Sequence, residues 1–397
     1  MPITEYYAPT HIYFGENAES KAGEVLKEQG AKKVLVHFGG GSVKRNGLLD
    51  RVEKDLKEHD IDFIEIGGVV PNPRLSLIYK AIEIGRKENV DYVLAVGGGS
   101  VIDSAKAICY GLYDKERGDV WDFYTWKRKV TGSTPLGVIL TLSATGSEMS
   151  SSSVITNEEG WMKRGLNTNF CRPKFALLDP TLTYTVSRYQ TSCGTADIMM
   201  HTLERFFHSG KTLALTDKLS LALLKQVMES GLVALDNPDD YEARANLMWA
   251  SSLSHNDIFQ FGNDARGDWS CHQLEHELSG KWDVAHGAGL TAIWSSWAKY
   301  VYRSNPERFI TLGEALFGLE RDTDLEREAL LTISKMEEYF KKIEMPTNLP
   351  DLGINPTDEE IEEIAEKCTF FGKRTIGNLQ VLNKEDMIAI YKNANHR

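Results

Sequence analysis

Short apolar runs alternate with amphipathic segments along the first half of the chain. The runs at 33–38 (KVLVHF) and 92–96 (YVLAV) are almost wholly apolar, which is typical of strands buried on both faces. Further strands are predicted at 61–66, 136–142 and 175–178, and helices at 48–59, 76–87 and 101–111. This strand–helix–strand order predicts a parallel sheet covered by helices.

The second half of the chain has a different pattern, because helical periodicity dominates after about residue 179 and strand signals fade. Helices are predicted at 194–207, 217–234, 241–253, 268–278, 290–302 and 325–343. Asp268 is the expected N-cap of the fourth and Gly280 its expected terminator. A chain of 397 residues also exceeds what one core usually organises. The sequence therefore predicts an N-terminal α/β domain over residues 1–185 and an all-α C-terminal domain over residues 186–397.

Two triple-glycine turns each follow a predicted strand, one at 39–42 (GGGS) and one at 97–100 (GGGS). Glycine lets the backbone approach a diphosphate closely, and the N–H groups of a following helix attract its charge. Neither turn has the G-x-G-x-x-G fingerprint, which would require glycine at Lys44 or Ile102, and the chain has no P-loop. Because both turns end parallel strands, they favour a bound dinucleotide in the N-terminal domain, with Gly40, Gly41 and Ser42 as contacts.

Acidic and imidazole side chains recur at helical spacing in the second half. Asp197 and His201 are four residues apart, as are His272 and His276, and His286 is expected to begin a further helix. Residues four apart lie on one face of a helix. Imidazole and carboxylate together suit zinc or iron(II), so these five residues are candidate ligands of a catalytic metal. The spacing alone does not separate His272 from His276.

Two other classes of function fit parts of this pattern. The segment HQLEH at 272–276 is similar to a zinc-protease helix, but H-E-x-x-H needs glutamate where the chain has Gln273. A zinc metallohydrolase is therefore the alternative, and a non-catalytic nucleotide-binding module is the third hypothesis. A change in nicotinamide absorbance would distinguish a dehydrogenase from both.

Composition excludes several partners. The formal net charge of −12 disfavours nucleic acid and anionic lipid surfaces. No apolar stretch is long enough to span a bilayer, and the first fifteen residues lack the pattern of a signal peptide. The five scattered cysteines form no Cys-x-x-Cys pair, so we expect reduced thiols in a cytoplasmic protein.

Several of these motifs together resemble one known family, the iron-containing (group III) alcohol dehydrogenases, over nearly the whole chain. GGGSVIDSAK at 97–106 is similar to the family's diphosphate turn, and TLSATGSE at 141–148 to its loop on the nicotinamide side. The stretches at 197–201 and 272–286 resemble its two metal signatures. The segments at 37–53 and 71–73 are similar to the butanol dehydrogenase and broad aldehyde reductase branch in particular. The resemblance implies a Rossmann-like α/β domain and a helical domain, the dehydroquinate synthase-like architecture. Dehydroquinate synthase-like and glycerol dehydrogenase-like enzymes share this plan, but one aspartate with three histidines favours the alcohol dehydrogenases.

The resemblance also assigns roles to residues. It implies metal ligation by Asp197, His201, His272 and His286, and it places His276 beside the nicotinamide and substrate, where imidazole could relay a proton. Ser150 stands where related members often carry asparagine, and Leu182, where some carry tyrosine, is expected to pack on the cofactor. The implied cofactor contacts are Gly98, Gly99, Ser100, Asp103, Thr141, Thr145, Ser150, Lys163 and Leu182.

The implied reaction is hydride transfer between NAD(P)(H) and small primary alcohols such as butanol, or their aldehydes, with one Fe²⁺ or Zn²⁺ ion. NAD-selective enzymes usually carry an acidic residue that binds the ribose 2′-hydroxyl. The first turn has Ser42 instead, followed by Lys44 and Arg45, so NADP(H) is the expected preference and NAD(H) an accepted alternative. Trp269, Phe259 and Phe261 are candidate pocket aromatics, and the resemblance suggests a homodimer.

Overall fold

The computed structural model describes residues 3–265 and 267–396, which form two compact units. The first, termed the α/β unit, consists of Tyr7–Val186 together with Ser251–Asn256. The second, termed the helical unit, consists of Ser187–Ala250, the residues from Asp257 onward and the first residues of the chain. The segment Ser251–Asn256 thus belongs to the α/β unit although residues of the helical unit precede and follow it.

A six-stranded parallel sheet forms the centre of the α/β unit. Its strands are β1 (His11–Phe14), β2 (Lys33–Gly39), β3 (Asp62–Val69), β4 (Tyr92–Gly97), β5 (Leu136–Leu140) and β8 (Phe175–Leu178), and the order across the sheet is β1-β8-β5-β4-β2-β3. All residues of β4 and β5 are buried, as their apolar runs predict. The predicted parallel α/β sheet is confirmed.

Two features of the sheet region were not predicted. β1 is a four-residue edge strand with no fully buried position, so its sequence has little apolar signal. β6 (Ser152–Asn157) and β7 (Met162–Asn167) form a separate antiparallel hairpin whose polar composition conceals its alternation. Hydrophobic patterning identifies strands only where at least one face enters a core.

The three helices predicted at 48–59, 76–87 and 101–111 are present in the α/β unit, and three shorter helices were not predicted. The α-helices of this unit are α1 (Ala22–Glu28), α2 (Ser42–Arg45), α3 (Leu48–Glu58), α4 (Leu75–Lys87), α5 (Gly99–Tyr113) and α6 (Trp121–Tyr124). α3 shows why such a segment folds as it does, because Leu48, Val52 and Leu56 repeat at four-residue spacing and all enter the core cluster that also contains β2 and β4 residues.

The helical unit contains ten α-helices among its described residues. They are α7 (Arg188–Phe206), α8 (Ala214–Asp236), α9 (Tyr241–Ser254), α10 (Ser270–Trp282), α11 (His286–Val301), α12 (Pro306–Phe317), α13 (Leu325–Lys342), α14 (Leu349–Leu352), α15 (Asp358–Cys368) and α16 (Lys384–Ala394). The last residues of α9 lie in the segment assigned to the α/β unit. The all-helical character predicted for this half is confirmed. Within the described residues, no helix combines the length and apolar content that a bilayer span requires.

The predicted limits of α10 were wrong at both ends. The residue before the helix is Trp269, in the left-handed region at φ 62°, while the carboxylate of Asp268 accepts hydrogen bonds from Ser270, Asn378 and Leu379 N–H groups. Gly280 is buried inside the helix, which ends where Asp283 turns left-handed at φ 52°. Aspartate tolerates this conformation, so the glycine was not needed as a terminator.

Candidate functional site

The predicted cofactor residues gather along one edge of the sheet. Because β8, β5, β4 and β2 are parallel neighbours, their carboxyl ends meet at this edge. The predicted contacts that follow those ends by at most about five residues are Leu182 after β8, Thr141 and Thr145 after β5, Gly98, Gly99 and Ser100 after β4, and Gly40, Gly41 and Ser42 after β2. The topology therefore brings together residues that the sequence spreads over more than a hundred positions.

The second glycine turn connects β4 directly to α5. Gly98 precedes the helix, and its carbonyl accepts hydrogen bonds from the N–H groups of Val101 and Ile102 at 3.0 and 3.2 Å. A Cβ atom on Gly99 would lie 2.3 Å from the Thr145 Oγ1, so only glycine fits there. The unpaired N–H groups of the first helical turn, at the positive end of the helix dipole, suit a bound anion such as a diphosphate.

The first glycine turn needs glycine for a different reason. Gly41 lies at φ 115°, in the region that L side chains rarely adopt, and it immediately precedes the short helix α2. Gly40 and Ser42 are exposed. The turn thus presents backbone and one hydroxyl group to its surroundings.

Two basic side chains follow this turn and differ in their surroundings. Lys44 Nζ lies 3.5 Å from the Glu65 carboxylate and 4.8 Å from the centre of the Phe38 ring, so an acidic partner already offsets its charge. The Arg45 guanidinium lies 3.5 Å from the position that a Cβ on Gly41 would occupy. Arg45 is therefore the basic group placed at the turn itself.

Asp103 fastens the loop at 141–148 to α5 and the hairpin. One carboxylate oxygen accepts the Ser147 hydroxyl at 2.5 Å and the other accepts the Val154 N–H at 2.9 Å. Burial raises the pKa of Asp103, although Lys106 and these hydrogen bonds oppose the rise. The carboxylate predicted to contact the cofactor thus has two partners within the protein.

Lys106, which the sequence analysis did not single out, joins the end of this loop to the start of the hairpin. It is fully buried, and its ammonium group donates to the carbonyls of Ser152 and Ser150 at 2.6 and 3.1 Å and to the Ser147 hydroxyl at 2.9 Å. Its fourth partner is the buried Ser150 hydroxyl at 3.2 Å. Lys106 is the last residue of the GGGSVIDSAK motif at 97–106. Its charge on a largely apolar helix face was the sequence signal that could have identified it as a structural residue.

Two of the predicted contacts, Lys163 and Leu182, are almost fully buried. Lys163 lies on β7 and is 5% exposed. Leu182 is 9% exposed and belongs to the core cluster that contains Leu177 of β8. The apolar environment expected for Leu182 is thus supplied largely by the protein itself.

The predicted metal ligands meet in the helical unit. Asp197 and His201 occupy successive turns of α7, His272 lies in the first turn of α10, and His286 is the first residue of α11, as predicted. Donor atoms of Asp197, His272 and His286 all lie within 4.8 Å of one another, whereas His201 is outside this close group and approaches it through Asp197. The Asp197 Oδ1 is 3.4 Å from the Nε2 of His201 and 3.8 Å from those of His272 and His286.

These separations fit a shared divalent cation. The Asp197 Oδ1 and the His272 Nε2 are buried without a hydrogen-bond partner, which is unfavourable unless another group occupies the space between them. Two ligands at about 2.1 Å from a tetrahedral zinc ion lie about 3.4 Å apart. One carboxylate with three imidazoles is a donor set that both zinc and iron(II) accept.

Two further carboxylates, absent from the sequence predictions, contact two of these histidines at Nδ1, the ring nitrogen that does not face Asp197. Glu204 of α7 is hydrogen-bonded to the His272 Nδ1, and Glu275 of α10 is hydrogen-bonded to the His286 Nδ1. Burial works to lower the pKa of His272, but the Glu204 and Asp197 carboxylates outweigh it and raise the pKa to about 9. A metal ion must therefore displace a proton from this imidazole in order to bind.

His276 and Trp269 lie beside the cluster. His276 is 8% exposed, its ring centre is 5.9 Å from that of His286, and its nitrogens are outside the group of close donor atoms. The Trp269 ring is 6.0 Å from the His201 ring and 5.4 Å from the His272 ring, and the Arg205 guanidinium lies 4.5 Å above it. Trp269 thus packs against two predicted ligands.

The other two candidate pocket aromatics are placed differently. Phe259 is buried in a 3₁₀ turn, Ile258–Gln260, and Phe261 follows that turn with its ring 6.2 Å from the Tyr6 ring. Neither shows the contact with the histidines that Trp269 makes.

Comparisons with known proteins agree along the whole chain. A family model described as iron-containing alcohol dehydrogenase matches residues 9–180, and one described as Fe-containing alcohol dehydrogenase family, C-terminal, matches residues 191–395. The chain is 42% identical to NADH-dependent butanol dehydrogenase A of Clostridium acetobutylicum and 30% identical to the NADPH-dependent aldehyde reductase YqhD of Escherichia coli, covering 98% of each chain in both cases.

A solved structure gives the same result. The NADH-dependent butanol dehydrogenase A of Thermotoga maritima superposes with a TM-score of 0.95 at 37% identity, over 100% of this chain and 99% of that one. The sheet edge with its glycine turns and the aspartate with three histidines are the features expected from the resemblance. The chain belongs to the iron-containing alcohol dehydrogenase family.

Proposed function

We propose that this protein interconverts small primary alcohols, butanol among them, and the corresponding aldehydes, using a nicotinamide cofactor and one divalent metal ion. The observation that carries the proposal is the buried Asp197 oxygen that faces three imidazole nitrogens at 3.4 to 3.8 Å without accepting a hydrogen bond. The names of the relatives support the same class of substrate.

Residues of the helical unit, proposed as the metal and substrate domain at 186–397, would handle the substrate oxygen. A metal held by Asp197, His201, His272 and His286 supplies Lewis acidity toward that oxygen, and the nicotinamide supplies or accepts the hydride. His276 is proposed to move the proton between substrate and solvent, because its ring lies 5.9 Å from that of the proposed ligand His286.

Residues of the α/β unit, proposed as the dinucleotide domain at 1–185, would bind and orient the cofactor. Support comes from the glycine turns at the carboxyl edge of the sheet and from the helix α5 that begins at Gly99. Lys106 and Asp103 would act indirectly, by holding the loop at 141–148 in shape. The proposed contacts are those predicted from the sequence, namely Gly40, Gly41, Ser42, Gly98, Gly99, Ser100, Asp103, Thr141, Thr145, Ser150, Lys163 and Leu182.

For the cofactor we infer a preference for NADP(H), with NAD(H) also used. Ser42 and Arg45 at the first turn support this preference, since a hydroxyl and a guanidinium can bind a 2′-phosphate. The pairing of Lys44 with Glu65 weakens it, and relatives at 42% and 40% identity are named NADH-dependent. Comparable or better catalytic efficiency with NADH would overturn the inference.

We also infer a homodimer in the cytoplasm. The dimer follows from the family resemblance and is tested by light scattering on the purified protein. A reducing compartment is supported by the five free cysteines, four of which are buried.

The decisive experiment follows nicotinamide absorbance with butanal as substrate. NADPH and NADH are compared on protein loaded with iron(II), loaded with zinc and stripped with a chelator. We expect cofactor oxidation that depends on the metal and returns when metal is restored. Absence of turnover under every loading would reject small aliphatic aldehydes as substrates, and metal-dependent hydrolysis without nicotinamide would favour a hydrolase.

A further inference from the structure

We propose that Glu204 and Glu275 are positioning residues that fix the ring orientation and tautomer of His272 and His286, so that the Nε2 atoms of both histidines face Asp197 before any metal binds. The inference rests on the proposed metal site and concerns how the chain prepares it. Each carboxylate lies on a different helix from the histidine it contacts, Glu204 on α7 and Glu275 on α10.

Both carboxylate oxygens of Glu204 have hydrogen-bond partners at the start of α10. One of its oxygens is hydrogen-bonded to the His272 Nδ1, and the other accepts the backbone N–H groups of Cys271 at 2.7 Å and His272 at 3.3 Å. Its side chain is fully buried. Glu204 follows Asp197 by seven residues and His201 by three, so all three lie on one face of α7.

Glu275 is held in a comparable way against α11. One of its oxygens is hydrogen-bonded to the His286 Nδ1 and the other to the Ser279 hydroxyl. A Cβ atom on Gly289 would lie 3.0 Å from a Glu275 oxygen and 2.9 Å from its Cγ, so glycine at 289 lets the carboxylate approach this closely. Glu275 is also fully buried.

The tautomer follows from these contacts. A neutral imidazole carries one N–H group, and a carboxylate hydrogen-bonded to Nδ1 draws the proton there. Once a metal displaces any proton from Nε2, the lone pair lies on that nitrogen, which is the atom that faces Asp197 in both His272 and His286. Carboxylates that hold a ligating histidine in this way orient the ring and raise its basicity. The two pairs also connect α7 to α10 and α10 to α11.

Substitution by glutamine tests the proposal without changing the size of the side chain. The amide of Glu204→Gln can no longer accept at both of its ends. If its NH₂ faces the His272 Nδ1, that nitrogen cannot keep its proton in the hydrogen bond. If its NH₂ faces the Cys271 N–H, two donors oppose each other. Glu275→Gln can aim its oxygen at the His286 Nδ1 and its NH₂ at the Ser279 oxygen, because that hydroxyl can donate instead to the Val284 carbonyl 3.2 Å away. The two glutamine substitutions therefore have different expected effects. Glu275→Ala is the variant that removes the carboxylate contact with the His286 Nδ1 altogether.

The measurement is zinc affinity by competition with a chromophoric chelator, with the thermal midpoint of the metal-free protein recorded in parallel. We expect zinc to bind about 10- to 100-fold more weakly in Glu204→Gln and Glu275→Ala, and nearly as in wild type in Glu275→Gln. Glu328→Gln is the matched control, since Glu328 is a buried glutamate of α13 that accepts the Asp322 N–H at 2.9 Å. This control should leave zinc affinity unchanged.

Equal zinc affinity in wild type, Glu204→Gln and Glu275→Ala would overturn the proposal, as would an equal loss in Glu328→Gln. A purely structural role would lower the thermal midpoint while leaving zinc affinity unchanged. If wild type itself binds no zinc, the proposed metal site fails and the inference fails with it. Normal zinc affinity without dehydrogenase activity would instead reject the proposed function alone.

Discussion

The glycine turns of the α/β unit and the histidine cluster of the helical unit are built from different parts of the chain. Backbone groups and small side chains of consecutive residues form the turn at Gly98 and Gly99, which continues directly into α5. The cluster combines side chains from three helices, α7, α10 and α11. A backbone site is damaged when atoms are added to it, whereas a side-chain site is damaged when atoms are removed.

The two regions also treat buried charge differently. In the α/β unit, the buried ammonium group of Lys106 is surrounded by hydroxyl and carbonyl oxygens of Ser147, Ser150 and Ser152. In the cluster, the carboxylates of Asp197, Glu204 and Glu275 lie among imidazoles, so that the arrangement has spare negative charge for a cation. The first region fixes the shape of a loop, and the second is suited to binding an ion.

Removing a predicted ligand should have the largest effect. In Asp197→Ala we expect metal content to fall to background and kcat/KM to fall by about 1000-fold, because the Lewis acid is lost.

In His276→Ala we expect wild-type metal content with a rate about 100-fold lower and a changed pH profile, because the proposed proton relay is lost. Elemental analysis and steady-state kinetics measure both. An Asp197→Ala enzyme that kept its metal and its rate would refute the ligand assignment, and an unchanged His276→Ala enzyme would refute the relay.

Adding one methyl group to the second glycine turn should have an intermediate effect. In Gly99→Ala the new Cβ would meet the Thr145 Oγ1 at 2.3 Å, and this hydroxyl is held in place because it accepts the Ser147 N–H at 3.2 Å. We expect KM for the cofactor to rise about 10- to 100-fold, from strain of 1–3 kcal/mol, with metal content unchanged.

Gly165→Ala is the control for this turn, since its Cβ would make only an ordinary contact with Val154 at 3.6 Å. Gly165→Ala should keep the cofactor KM of wild type. A normal KM in Gly99→Ala would show that the turn does not approach the cofactor.

The smallest expected effect is a change in folding stability as the pH falls, to which a residue of each unit contributes with opposite sign. Burial lowers the pKa of His37, on β2, from 6.5 to about 4, while its Nδ1 is 2.8 Å from the Ile66 carbonyl and its Nε2 is 2.8 Å from the Ser104 hydroxyl. As the pH falls below 6.5, the His37 imidazole is therefore protonated in the unfolded chain before it is protonated in the folded protein. His37 stabilises the fold fully above that pH, and about 1 kcal/mol of this stability is lost between pH 7 and pH 5.5.

Asp268 of the helical unit contributes with the opposite sign, because burial raises its pKa from 3.8 to about 6. The folded state binds that proton more tightly, so acidification over the same range increases stability. The test therefore compares how the denaturant midpoint changes with pH in wild type and in His37→Gln. Both proteins contain Asp268, so its contribution cancels in the difference between them. Parallel curves would refute the role of His37.

The sequence determined the parts of this protein that depend on neighbours along the chain. The apolar runs at 33–38 and 92–96 predicted two buried strands, because burial on both faces leaves few polar positions. The four-residue spacing of Asp197 and His201 predicted that both lie on one face of a helix. The glycine turns were visible because their residues are consecutive.

Only the tertiary structure decided the features that depend on how distant elements pack. Spacing could not separate His272 from His276, since both lie on one helix face, and the packing of α11 against both α7 and α10 brings His272 close to Asp197. Likewise nothing near Glu204 or Glu275 in the sequence announces its histidine, because each partner lies on another helix. Local periodicity records which face of a helix is buried, whereas the residue that it meets there is set by packing between helices that are distant in sequence.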